Sequence, residues 1–99
     1  MVKHIVLFKL KDEVSEAEKI LVMNKFKEAI EALPVKISVI RKIEVGLNVN
    51  LGESWHIALN SEFDTLDDVK IYAAHPDHVV AGKILADVKE SRACVDYEL

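Results

Sequence analysis

The first strand-like segment, Val2–Leu10, constrains the chain most, because it is apolar on both of its faces. Side chains alternate along a strand, so Val2, His4, Val6 and Phe8 share one face while Lys3, Ile5, Leu7 and Lys9 share the other. With Ile5 and Leu7 opposing Val6 and Phe8, the strand needs cover on two sides. Lys3 and Lys9 within the apolar run also distinguish it from an export signal.

The remaining periodicities supply one of the two covers. Ser15-Glu16-Ala17-Glu18 has the form of a capping box and opens a helix whose apolar stripe is Ile20, Met23, Phe26, Ile30 and Leu33, ended by Pro34. Val39–Val45 reads as a second strand, with Val39, Arg41, Ile43 and Val45 on one face. The Gly- and Asn-rich run from Gly46 to Ser54 suits a hairpin connection. Trp55–Phe63 reads as a third strand, with Trp55, Ile57, Leu59 and Phe63 opposite His56, Ala58, Asn60 and Glu62. Thr65-Leu66-Asp67-Asp68 repeats the capping logic before a stripe of Leu66, Val69, Tyr72 and Ala73. After Pro76 the stripe resumes as His78, Ala81, Leu85 and Val88, and Ala93–Leu99 closes the chain as a strand.

The order is β-α-β-β-α-β, which predicts an α+β, ferredoxin-like protomer over residues 1–99: four antiparallel strands with two helices on one face. An antiparallel sheet covered on one side usually leaves the other polar, but here Ile5, Leu7, Val95, Tyr97 and Leu99 fall on the uncovered side. The simplest cover is a second copy of the sheet, so a homodimer through the helix-free face is expected.

Composition removes several function classes. At 51% hydrophobic and 30% charged, the chain is that of an ordinary globular protein, and a net charge of −4 with 13 scattered Lys and Arg residues argues against nucleic-acid binding. No segment approaches a membrane span. The single Cys94 cannot form an internal disulfide, reads as a small packing residue, and fits a reducing compartment. The chain is read as complete and cytoplasmic.

Function concentrates in Tyr72-Ala73-Ala74-His75-Pro76-Asp77-His78-Val79. Pro76 biases His75 away from helical dihedrals and suits the first position of a new helix. That leaves His78 in the first turn, where the helix dipole disfavours a cationic imidazole. A neutral imidazole facing an apolar pocket has the chemistry of a general base. A metal site on His75 and His78, joined by Asp77 or His4, lacks a firm third ligand, so neither metal nor cofactor is expected.

Over essentially its whole length the chain resembles the stress-responsive dimeric α/β-barrel family. The resemblance rests on Val2–Asp12, on Ser61-Glu62-Phe63-Asp64-Thr65, on the Tyr72-x-x-His75-Pro76-x-His78-Val79 segment and on Val95-Asp96-Tyr97. It implies a ferredoxin-like protomer whose sheet packs on a second protomer to form a barrel. Most members have no assigned reaction, while a plant polyketide cyclase of the family closes a poly-β-keto thioester by aldol chemistry. Its catalytic Tyr and His correspond to Tyr72 and His78, and its first-strand His to His4. A further pocket His of that enzyme falls at Ile57 here, since His56 is one residue out of step. The resemblance therefore implies catalytic roles for His78 and Tyr72 in a sheet–helix pocket with His4, Val6, Phe8, Ile57, His75 and Asp96. Two readings stand side by side: proton transfer on a small carbonyl compound, or a non-catalytic binding or scaffold protein.

Overall fold

A computed structural model describes all 99 residues. Strand β1 (Val2–Leu10) leads to helix α1 (Glu16–Glu31), a 3-10 turn at Leu33–Val35, strands β2 (Lys42–Leu47) and β3 (Ile57–Phe63), and helices α2 (Leu66–Ala74) and α3 (Pro76–Gly82). A second 3-10 turn at Lys83–Leu85 precedes strand β4 (Lys89–Glu98). The antiparallel sheet has the order β2-β3-β1-β4, so the doubly apolar strand is an interior one. Its alternation is fully expressed: Val2, His4, Val6, Phe8 and Leu10 are buried beneath the helices, and the residues between them are half-buried.

Opposed residues in antiparallel strands point to the same side, which fixes what each neighbour adds to each face. His4 lies opposite Ser61 and Asp96, Val6 opposite Leu59 and Cys94, and Phe8 opposite Ile57 and Arg92. The helix-facing side of edge strand β4 thus carries Arg92, Cys94 and Asp96, all exposed at the flank of the helical layer.

The caps form as the sequence requires. The Ser15 hydroxyl accepts the Glu18 amide at 3.2 Å and the Thr65 hydroxyl accepts the Asp68 amide at 3.1 Å. The predicted helix stripes need rotation, however. Ile20 is 56% exposed, whereas Lys19 is only 6% exposed. At 100° per residue, six residues put Ile20 roughly 120° from Phe26, while Lys19, seven away, falls within about 20°. Lys19 lays its methylene chain on the core and reaches Glu16 with its amine at 3.4 Å. Leu66, six residues before buried Tyr72, is exposed for the same reason.

Strand limits also shift. Val39 lies among turns set by Ile37 N–H to Leu33 and Ile40 N–H to Ile37, so β2 begins at Lys42 and continues to Leu47. Trp55 and His56 precede β3, and β4 begins four residues before Ala93. No helix is long and apolar enough to cross a membrane.

Candidate functional site

A cavity of about 290 Å³ opens between the sheet and the helices. Its floor is His4, Val6 and Phe8 of β1 with Leu59 of β3. Its walls are Phe26 and Ile30 of α1, Tyr72 and Ala73 of α2, and His78, Val79 and Gly82 of α3; Lys83, Ala86, Lys89 and Arg92 complete the lining.

The break at Pro76 positions the polar groups. His75 is the N-cap of α3, with extended dihedrals (φ −64°, ψ 135°), and its Nδ1 accepts the Asp77 amide at 3.1 Å. The turn brings His78 Nδ1 to 2.9 Å from the Ala73 carbonyl. A carbonyl oxygen only accepts, so this nitrogen carries the proton and Nε2 keeps its lone pair. Burial lowers the His78 pKa from its ordinary value, with smaller downward contributions from His4, Arg92 and His75 and an opposing one from the Ala73 hydrogen bond. The imidazole is therefore neutral at pH 7.

Tyr72 packs beside it, with ring centroids 4.4 Å apart. It is 1% exposed, and its hydroxyl has no hydrogen-bond partner. An unpaired buried hydroxyl costs on the order of 1–3 kcal/mol, which a polar ligand atom would recover. Burial also raises the Tyr72 pKa far above its ordinary value, so the phenol is a donor and not a base at neutral pH. His4 meets the edge of the Tyr72 ring at 6.1 Å between centroids, and its Nδ1 lies 2.5 Å from an Asp96 carboxylate oxygen. Nδ1–H donates to the carboxylate, which turns Nε2 of His4 to the far edge of the ring.

Tyr72, His78, His4, Val6 and Phe8 thus converge on one cavity, whereas three residues of the anticipated pocket do not line it. Ile57 is packed into the core, 2% exposed, at the Phe8 end of β3. It borders instead a shallower hollow of about 450 Å³ beneath the β2–β3 connection. His75 is turned into its capping bond. Asp96 stands behind His4 on β4 and acts through it. His56 is likewise outside the cavity, its Nδ1 accepting the Leu10 amide at 3.0 Å.

Residue patterns alone missed Lys83, Lys89 and Arg92. Starting the last strand at Ala93 hid Arg92, although its parity with Cys94 and Asp96 was available. Cys94 is exposed and not a packing residue, with its sulfur 3.6 Å from His4 Nδ1. His4, Cys94 and Asp96 bring three ligand-type atoms within 4.8 Å of one another. In this arrangement, though, His4 Nδ1 is engaged by Asp96, and the Arg92 cation acts on the same thiol, an unfavourable setting for a second cation.

Comparison with known proteins agrees with this architecture. A dimeric ferredoxin-like protein of unknown function from Bacteroides fragilis superposes with a TM-score of 0.98 at 78% identity, over 99% of this chain and 95% of that one. Olivetolic acid cyclase from Cannabis sativa is 26% identical over 97% of this chain and 94% of its own length. A stress-response A/B barrel domain-containing protein of Arabidopsis thaliana is 31% identical over 98% of this chain, which spans only 46% of that protein. The model of the Stress responsive A/B Barrel Domain matches residues 2–99, and the chain belongs to that family.

Proposed function

We propose that the sheet–helix cavity binds a small carbonyl compound and moves a proton on it, as a cyclase does. The observation that carries this reading is the His78–Ala73 bond, which keeps the Nδ1 proton in place and leaves Nε2 of the buried, neutral imidazole free beside the partnerless Tyr72 hydroxyl. Nε2 takes a proton from the carbon next to a carbonyl, and the C–H electron pair moves onto the carbonyl oxygen. The Tyr72 hydroxyl donates a hydrogen bond to that developing enolate. The enolate carbon then attacks a second carbonyl of the same molecule, and the imidazolium returns its proton to the new alkoxide. Resemblance to olivetolic acid cyclase across nearly the whole chain supports this chemistry. The test is a panel of β-keto thioesters and small reactive carbonyl compounds assayed with wild type and His78→Ala. Loss of turnover in the variant is expected; undiminished turnover would leave a binding or scaffold role as the better reading.

The same reading takes the protein as a homodimer joined through the helix-free face of the sheet. On that face Val95 and Tyr97 are 53% and 46% exposed in the single chain, and Ile5, Leu7, Ala93 and Val95 line one apolar hollow. The dimeric state of the Bacteroides fragilis relative supports it. Sedimentation at micromolar concentration should give a dimer, and Leu7→Asp should give monomer or insoluble protein. A monomeric wild type overturns the interface.

A further inference from the structure

The cavity described above has an electrostatic character opposite to that of the whole chain. The protein carries a net charge of −4, yet the fully charged residues among those lining the cavity are Lys83, Lys89 and Arg92, with no carboxylate beside them. These cations also lack a carboxylate partner. None of the seven ion pairs in the protein includes Lys83, Lys89 or Arg92. Their placement follows from the fold: Lys83 opens the 3-10 turn after α3, and Lys89 and Arg92 open edge strand β4, where the helical layer stops. The three therefore stand at the solvent side of the cavity, while Val6, Phe8, Phe26, Ile30 and Leu59 form its apolar interior. The charge of Arg92 is felt inside, since it acts on Tyr72 and His78.

We propose that the ligand of this cavity is a small amphiphile with an anionic head, a carboxylate or phosphate, held by Lys83, Lys89 and Arg92 while its apolar body enters between sheet and helices. This rests on the carbonyl-compound reading of the same site and narrows it to acids. Size narrows it further. At about 290 Å³ the cavity is at the small end of the roughly 300–1,000 Å³ typical of ligand pockets, which suits a short-chain acid. An arginine fork matches a planar carboxylate or a phosphate, and a lysine adds a point charge to either.

The experiment is calorimetric titration of the wild-type protein with 2-oxooctanoate, its methyl ester and hexyl phosphate at low and high salt. The acid should bind about tenfold or more tightly than the ester at low salt, with the gap closing as salt rises. A Lys89→Gln/Arg92→Gln double variant should lose that preference, binding the acid no more tightly than the ester. Tighter binding of hexyl phosphate than of the acid would identify phosphate as the head, and the reverse a carboxylate. Ester binding equal to acid binding, an unaltered preference in the double variant, or no anion binding at millimolar concentration overturns the proposal. Anion binding by a protein without turnover on any carbonyl compound would instead count against proton transfer alone, so the two failures are separable.

Discussion

Two histidines at opposite ends of the sheet–helix layer have pKa values pushed the same way by burial, yet are wired in opposite senses. His56 Nδ1 accepts the Leu10 amide, so its proton resides on Nε2. His78 Nδ1 donates to the Ala73 carbonyl, so its lone pair resides on Nε2. Desolvation is the leading cause of the downward shift in each, and the nearby Lys19 adds to it at His56. The difference teaches that a depressed histidine pKa does not identify a base. At His56 the lone pair is spent holding a fully buried backbone amide at the end of β1. At His78 it is unspent and belongs to a residue lining a cavity.

The largest expected effect separates the two by activity. Once a substrate is found, His78→Ala should lower kcat by roughly 10²–10⁴-fold, the usual contribution of a positioned base. Its melting temperature should move little, because only one hydrogen bond at a helix break is lost. His56→Ala should do the reverse, leaving kcat near wild type while costing about 1–3 kcal/mol in denaturant unfolding, since the Leu10 amide loses its acceptor. If His56→Ala abolishes turnover in a protein that remains folded, the contrast between the two sites is broken.

The acid response sharpens the same comparison. Each histidine has a folded pKa below the ordinary 6.5, so on acidification the unfolded chain takes up protons first. Stability is therefore full above that value and falls as pH drops below it towards the folded pKa values. Protonating His56 also breaks its bond to Leu10, whereas His78 keeps its bond to Ala73 when it gains a proton. Unfolding free energies measured between about pH 7 and pH 5 should thus decline, and His56→Gln should flatten the decline more than His78→Gln.

How much of this was legible in the sequence follows the same physical lines. Strand parity has a period of two and does not drift, so His4, Val6 and Phe8 could be assigned to the helix-facing side without coordinates. Helix phase drifts, because steps of three fall short of a full turn, and two such steps carried Ile20 and Leu66 off the buried face. The motif around Pro76 singled out Tyr72 and His78, and both border the cavity. Pro76 also holds His75 outside the helix, the place of an orienting or capping residue, and His75 caps α3. The cationic mouth was obscured because Lys89 and Arg92 acquire meaning only when β4 is paired with β1 as far as Leu10. His56 precedes the β3 ladder, so alternation could not say which group would claim its ring.

The smallest expected effect concerns the group between the two cavity imidazoles. The Tyr72 hydroxyl is buried and unpaired, beside His78 at 4.4 Å between ring centroids and His4 at 6.1 Å. Removing it keeps the ring that packs against them and discards only an atom whose hydrogen-bonding capacity is unmet. Tyr72→Phe should therefore raise the stability of the ligand-free protein by about 1 kcal/mol, whereas a buried hydroxyl in a satisfied network costs stability when removed. The same change should reduce turnover by less than His78→Ala does, because one donor to the enolate oxygen is lost while the base remains. Denaturant unfolding of wild type and Tyr72→Phe checks the first statement. A destabilised variant would mean that the hydroxyl is already bonded in solution and is not held in reserve for a ligand, and the kinship between Tyr72 and His78 as unspent groups would fail with it.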